Sequence, residues 1–386
     1  MTSPPPFHFI RLVILLASIL TITCQAKNPF VQRFDQNGDG KLSKSEVPAP
    51  ARRIFENVDK NGDGFVTPEE DDAFRKTRAG RDNPDKQHKS QLTPPDHTDI
   101  AYGEHERNVY DLWLATSKTP TPLVVYYHGG GFRGGDKRSI NHGLLNTMLK
   151  EGISVAAVNY RLSSTATFPA QMHDCAKALQ HIRLHSKKYN ISPERIAATG
   201  GSAGGHISLW LAFHDDLANP ESKKMIERQS TRLVTAAVSA AQSSIDPRFI
   251  QKLFNTNQVN LAVMQFFGMQ EVTDIDNKKF HPLFEEASPL NHLTPDDVPV
   301  MALYNQANEE LPPNSSGRRH IHHPKFGIIL KEKMQKEGLE CTLVLRENYQ
   351  GNTTDKLADY LVKKLNSSPA TPASNATGSL PLKGTR

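Results

Sequence analysis

Hydrophobic and polar positions change their pattern along this 386-residue chain. After a polar start, Arg11 to Thr23 is an apolar run of about a dozen residues, too short to cross a bilayer and suited to the core of a signal peptide. From 27 to 76 apolar residues are sparse; Phe30, Phe34, Ile54, Phe55 and Val58 must make a very small core around one short helix, Ala51 to Val58, entered through Pro48 and Pro50. Residues 77–95 are polar, contain proline and lack apolar periodicity, so they read as a linker. From Asp99 onward short β-branched and aromatic runs alternate with stretches of helical period. The predicted strands are 99–102, 109–114, 123–127, 154–159, 196–199, 235–240, 300–305 and 341–345; helices include 169–186 and 326–337, the latter opened by Pro324 and closed by Gly338. Such alternation predicts an α/β domain over 96–365 with a mostly parallel eight-stranded sheet covered on both faces. The stretch from Asp246 to Leu293 breaks the alternation and carries Phe254, Phe266, Phe267, Phe280 and Phe284, which suits either a cap over a site or a packed insertion. Beyond Asn366 the Ser-, Pro-, Ala- and Thr-rich tail has the composition of a disordered segment.

Composition changes this picture little. A 37% hydrophobic chain of this length supplies a sizeable core and more than one folded unit. The net charge of +5 comes without a basic stripe interleaved with aromatics, so nucleic-acid binding is not expected. The linker is basic through Arg75, Lys76, Arg78, Arg81, Lys86 and Lys89, which serves either a solvated spacer or attachment to an acidic polysaccharide or lipid. Export to the periplasm or the exterior follows from the leader, with cleavage after Ala26; a lipoprotein anchor at Cys24 fits less well, because Thr21-Ile-Thr23 lacks the Leu and small-residue pattern. No membrane span is expected after cleavage, and no feature sets an oligomeric state. Cleavage leaves Cys175 in a predicted helix and Cys341 in a predicted strand, an arrangement that favours two buried free thiols.

Two twelve-residue segments in the small region carry metal chemistry. Asp35, Asn37 and Asp39 offer side-chain oxygens, Lys41 a carbonyl, Ser43 a direct or water-mediated contact and Glu46 a bidentate carboxylate, with Gly40 at the sharp turn; Asp59, Asn61, Asp63, Phe65, Thr67, Glu70 and Gly64 repeat the set. Hard oxygen donors at this spacing are those of an EF-hand pair for Ca2+. Leu42 and Val66 fall at equivalent places, where the two loops can pair as a ribbon. In an exported protein such calcium would act as a structural clip.

The stretch from Arg195 to His206 places Ser202 between Gly200 and Gly204 in the spacing G-x-S-x-G, after a short apolar run and before an apolar helix. That context turns the backbone sharply and pushes the hydroxyl out alone. Upstream, His128-Gly-Gly-Gly-Phe132 ends a strand in bare backbone, and Gly130 and Gly131, with the amide of Ala203, are candidate donors to a tetrahedral oxyanion. With Val158-Asn-Tyr-Arg-Leu162, Phe168-Pro-Ala170, Asp174 and Ser288-Pro289, these motifs resemble the α/β-hydrolase fold, within it the HGGG-type carboxylesterase and lipase group. Secreted bacterial esterases of the feruloyl- and acetyl-xylan-esterase type look most similar. The resemblance implies a serine esterase acting through an acyl-enzyme, on a small-molecule or polysaccharide-linked ester.

The same resemblance exposes two departures. The acid that should follow the strand 300–305 meets Asn308-Glu309-Glu310, with Glu309 the candidate, and no histidine occurs after His323, so the base usual after the last strand is absent. The substitutes are His320, His322 and His323 in a long loop, with His322 and His323 the candidate bases; a solvated or helix-capping cluster is the plainer use of these rings. His206 is expected to point into its own helix. Two readings follow: a serine esterase with a displaced histidine, or a degenerate hydrolase whose pocket binds a ligand or partner without turnover.

Overall fold

The structure, a computed structural model, describes residues 30–35, 37–47, 52–79, 93–312, 315 and 317–367. The expected leader (1–26), linker residues 80–92 and the tail from 368 lie outside the described residues. The chain divides into two compact units, 1–91 and 92–386.

The first unit contains α1 (Phe30–Phe34), β1 (Leu42–Ser43), α2 (Arg52–Val58), β2 (Phe65–Val66) and α3 (Pro68–Ala79). Strands β1 and β2 pair antiparallel with Leu42 opposite Val66, as the spacing of the two loops predicts. In each loop the first aspartate turns back onto backbone amides: Asp35 accepts from Gly38 and Gly40 at 2.8 and 3.0 Å, Asp59 from Gly62 and Gly64 at 2.8 and 3.1 Å. The closing glutamates reach across the loop, Glu46 accepting from the amide of Asn37 at 3.3 Å and Glu70 from that of Lys60 at 3.1 Å. The donor types and their order in each loop, with the first aspartate and the closing glutamate both turned onto loop amides, are a hard-oxygen set that fits Ca2+. The core differs from expectation at one residue. Val31, Leu42, Val47, Phe55, Val58 and Val66 are buried with Phe30, Phe34 and Phe74 against them, whereas Ile54 is exposed on the outer face of α2. Helix α3 also runs to Ala79, beyond the expected end of the unit at 76, because its first turn is acid-rich with Glu69, Glu70 and Asp71 favouring its N-terminus.

The second unit is a single sheet of eight strands: β3 (His97–Ala101), β4 (Val109–Trp113), β5 (Thr121–Tyr127), β6 (Ser154–Val158), β7 (Ile191–Gly201), β8 (Thr235–Ser239), β9 (Val300–Tyr304) and β10 (Cys341–Leu345). Their order is β10-β9-β8-β7-β5-β6-β4-β3, parallel from β10 to β6 and antiparallel at β4 and β3. Period-two alternation sends Leu123 and Val125 to one face and Val124 to the other. One face is covered by α5 (Ala170–Leu184), α6 (Ala203–Phe213) and α11 (Lys325–Lys336), the other by α4 (His142–Lys150) and α12 (Thr353–Ser367). Helix α12 has no counterpart among the elements that the sequence pattern predicts. The unit begins earlier than residue 96: the indole N–H of Trp113 donates to the carbonyl of Thr93 at 2.8 Å, and the Thr93 hydroxyl to Asn146 at 3.0 Å.

The segment that breaks the alternation folds as α7 (Pro247–Phe254), α8 (Leu261–Phe267) and α9 (His281–Glu286), and its five phenylalanines are buried in the main core. It is a packed insertion. Phe266 stacks on Phe132 at 4.2 Å between ring centroids, which brings α8 against the glycine loop. Cys175 is buried and Cys341 half-buried, and both are free thiols.

Candidate active site

Strand β7 delivers Ser202 at its C-terminal end, and α6 leaves directly from it. Ser202 holds φ 53 and ψ −122, a strained backbone for a residue with a side chain. Its amide donates to the carbonyl of Ser239 at 2.9 Å and its carbonyl accepts from His206, so the neighbouring strand and the new helix hold the turn from both sides. Glycine is required next to it. A Cβ on Gly200 would lie 2.5 Å from the Tyr127 carbonyl oxygen, and one on Gly204 would overlap that same oxygen. The amide of Ala203, at the first position of α6, has no preceding turn of helix to bond and is available to a ligand.

The glycine loop lies alongside. Gly130 and Gly131 take φ of 113 and 61, and a Cβ on Gly129 would meet the Gly201 carbonyl oxygen at 2.8 Å. Among the described residues no acceptor takes the amides of Gly130, Gly131 or Ala203. The loop is braced from beneath by groups that sequence reading passed over. His128 is fully buried, stacked on Tyr160 at 4.2 Å, and its carbonyl accepts the Tyr160 hydroxyl at 2.7 Å. Its Nε2 faces the Arg107 guanidinium at 3.1 Å and its Nδ1 the Gly129 carbonyl at 2.8 Å. A guanidinium only donates and a carbonyl only accepts, so the ring is neutral with its proton on Nδ1. Burial lowers its pKa to about 4, the Gly129 bond opposing and the Arg107 charge reinforcing that shift. Arg107 also donates to the carbonyls of Tyr160 and Gly135 at 2.8 and 3.0 Å. Asn159 accepts the amide of Lys137 at 2.7 Å, and Lys137 Nζ meets both oxygens of buried Asp111 at 2.7 Å. No local pattern marks Arg107 or Lys137, since their partners are up to 53 residues away.

The base comes from an unusual place. His322 follows α10 (Gly317–Ile321), in the crossover between β9 and α11, and its Nε2 lies 2.8 Å from Ser202 Oγ. The hydroxyl can donate to that nitrogen. His323, the other candidate, is turned away: its Nδ1 accepts the amide of Lys325 at 3.1 Å at the start of α11, and its Nε2 donates to the backbone carbonyl of Glu309 at 2.8 Å. It caps a helix and ties down a loop, and its pKa is lowered mainly by burial. Glu309 enters the neighbourhood through its main chain. Its side chain is exposed and makes no hydrogen bond to His322, because the loop after β9 spends its inward-facing group, the carbonyl, on His323. His320 is buried against Phe254 with neither ring nitrogen hydrogen-bonded. His206 is buried in α6, its ring nitrogens near the carbonyls of Gln242 and Ala287. A shallow surface hollow lined by Ile250, Val259, Val263 and Ile321 borders α10 but is not lined by Ser202 or His322.

Residues 110–320 match the BD-FAE family, and 32–47 and 52–70 match the EF hand family. The chain is 30% identical over 235 residues to the probable carboxylic ester hydrolase LipM of Mycobacterium tuberculosis, covering 58% of this chain and 50% of that protein. It is 26% identical over 219 residues to esterase LipQ of the same organism, with 56% and 49% covered. The chain thus spans about half the length of these curated relatives. Among solved structures, a truncated carbohydrate esterase from gut microbiota superposes with a TM-score of 0.57 at 17% identity, covering 71% of this chain and 99% of that one. An acetyl ester-xyloside bifunctional hydrolase from Caldicellulosiruptor lactoaceticus gives 0.55 at 19% identity, covering 72% and 98%. At these identities the structural likeness bears on the fold alone.

Proposed function

The chain belongs to the BD-FAE family of α/β-hydrolase esterases, and from that premise we propose that it is an exported, calcium-binding serine hydrolase of carboxylic esters. The observation that carries the reading is the 2.8 Å contact between Ser202 Oγ and His322 Nε2 at a strained elbow. In this reading His322 takes the Oγ proton as the oxygen attacks the ester carbonyl. The carbonyl oxygen becomes an oxyanion, met by the amides of Gly130, Gly131 and Ala203. Collapse breaks the bond to the alkoxide, which leaves with the proton that His322 returns, and an acyl group remains on Ser202. Water then repeats the sequence with His322 as base, releasing the acid and restoring the hydroxyl.

Acyl groups on plant or algal polysaccharide are the substrate class we favour, on the resemblance of the motifs to feruloyl- and acetyl-xylan-type esterases; small-molecule esters are the broader class. The two calcium loops are proposed to be filled outside the cytoplasm, with the oxygen set of Asp35, Asn37, Asp39, Lys41, Ser43 and Glu46 and its repeat at Asp59, Asn61, Asp63, Phe65, Thr67 and Glu70. Without cation the clustered carboxylates repel, so calcium would hold this unit folded. A pocket that binds without turnover is disfavoured, since a serine hydroxyl 2.8 Å from an imidazole nitrogen is the arrangement of an activated nucleophile.

A fluorophosphonate probe tests the reading before any substrate is known. Labelling is expected on Ser202 in the folded, calcium-loaded protein, and to vanish in Ser202→Ala and His322→Ala. A folded protein that takes no label would point to the non-catalytic reading. Recovery of exported protein beginning at Lys27 tests the leader.

A further inference from the structure

At the far end of α6 from the nucleophile, three other side chains converge. His214 is the residue that ends α6, Glu286 is the last of α9, and His292 closes the short turn after it; their donor atoms all lie within 4.8 Å of one another. We propose that His214, Glu286 and His292 bind a divalent cation of the zinc class, with a fourth position open to water, stapling the end of α6 to α9 and the turn that follows.

The hydrogen bonds around the two rings argue for a cation. His214 Nδ1 lies 2.8 Å from the carbonyl of Asp215, a group that only accepts, so that nitrogen carries the ring proton. Its Nε2 then presents a lone pair, yet it lies 2.9 Å from the carboxylate oxygen Oε1 of Glu286, which also has only lone pairs to offer. Two acceptors at that distance need something positive between them: a second ring proton or a metal ion. His292 has the complementary arrangement, with Nε2 at 2.7 Å from the Glu286 carbonyl, so Nε2 donates and Nδ1 is left with its lone pair. Both rings thus anchor one nitrogen on a main-chain carbonyl and keep the other as a ligand, the orientation that metal-binding histidines adopt.

The frame is built rather than accidental. Trp210 packs over His214 with 4.1 Å between ring centroids, and its indole N–H donates at 3.0 Å to the same Glu286 carbonyl that receives His292. The rings of His214 and His292 are 4.6 Å apart. Zinc bonds of about 2.0–2.1 Å to nitrogen and oxygen place tetrahedral donors about 3.3 Å apart. His214 Nε2 and Glu286 Oε1, at 2.9 Å, lie just inside that separation, and the Glu286 side chain, 48% exposed, is free to turn and adjust the spacing. Two histidines and one carboxylate suit zinc and exclude calcium, which prefers an all-oxygen shell. The eleven residues of α6 lie between Ser202 and His214, about 18 Å along the helix, so the ion would stabilise the fold and take no part in ester cleavage.

The test uses the full-length protein with its calcium loops saturated, titrated with Zn2+ against a chromophoric chelator. One Zn2+ per chain is expected beyond any weak background, with a rise in thermal midpoint, and Co2+ in its place should give the visible absorption of a four-coordinate ion. His292→Ala and Glu286→Gln should each weaken binding by more than about a hundredfold, beyond the tenfold to hundredfold that loss of an outer partner costs. Glu286 is exposed enough that its glutamine variant will fold, which retained labelling of Ser202 by fluorophosphonate confirms. No zinc bound by the wild type, or unchanged affinity in Glu286→Gln, overturns the assignment.

Discussion

Acidification should loosen the glycine loop through one residue. His128 is buried, neutral and held between the Arg107 guanidinium and the Gly129 carbonyl, and its pKa is lowered from 6.5 to about 4. In the unfolded chain it returns to its ordinary value, so between about pH 6.5 and 4 the unfolded state binds more protons than the folded one. Stability from this residue is therefore complete above pH 6.5, falls as pH drops through that window, and changes no further below about 4. The full span is worth about 3 kcal/mol, and about 2 kcal/mol of it is lost between pH 7 and pH 5. Urea unfolding of the wild type and of His128→Gln at both pH values isolates this contribution, because glutamine can still accept from Arg107 but does not titrate. The variant is expected to be less stable overall, having lost the stack on Tyr160, yet its decline from pH 7 to pH 5 should be smaller than that of the wild type by about 2 kcal/mol. Equal declines in the two proteins would refute the assignment of a buried neutral ring.

Turnover of an aryl ester should fall by about a thousandfold or more in Ser202→Ala and in His322→Ala, with the double variant no worse than either, because the two act as one unit. His323→Ala should instead lose about 1–2 kcal/mol of stability through the uncapped amide of Lys325 and the freed Glu309 carbonyl, and Glu309→Gln should leave rates nearly unchanged; a large rate loss in Glu309→Gln would restore that carboxylate to the site. Gly131→Ala places a Cβ 2.9 Å from that of Ala262 at φ 61, so kcat is expected to drop with a stability loss of about 1–2 kcal/mol, read by kinetics and melting together. Chelating calcium should abolish a separate melting transition of the small unit and spare ester hydrolysis; a parallel loss of activity would mean that the two units depend on each other.

Local signals carried much of this protein. The eight strands were legible because each is a short β-branched or aromatic run between turn residues, and β5 and β7 run straight into the two glycine motifs that need to stand at strand ends. The calcium loops were legible for a related reason: all of their donors lie within twelve consecutive residues, and the glycine that permits the turn is among them. Ile54 misled because hydrophobicity alone does not say which side of a seven-residue helix faces so small a core. Helix α12 was passed over because its first turn is polar and its apolar residues are spread over a stripe against α4.

Ser202, the elbow glycines and the loop of Gly130 and Gly131 were legible in the sequence, since close backbone approach at Gly200 and Gly204 and positive φ at Gly130 and Gly131 call for glycine, and the spacing singles out the serine between them. Which histidine faces the serine was not. His320, His322 and His323 are chemically alike and nearly adjacent, yet one is buried without a hydrogen-bonding partner, one reaches Ser202, and one caps α11. That division is set by where β9, α10 and α11 place successive side chains, and by which ring finds the Glu309 carbonyl first at hand. The Arg107–His128–Tyr160 brace and the convergence of His214, Glu286 and His292 likewise join residues dozens of positions apart. Only the packed chain brings them within hydrogen-bonding distance, because the sheet order, not the sequence interval, sets which loops become neighbours.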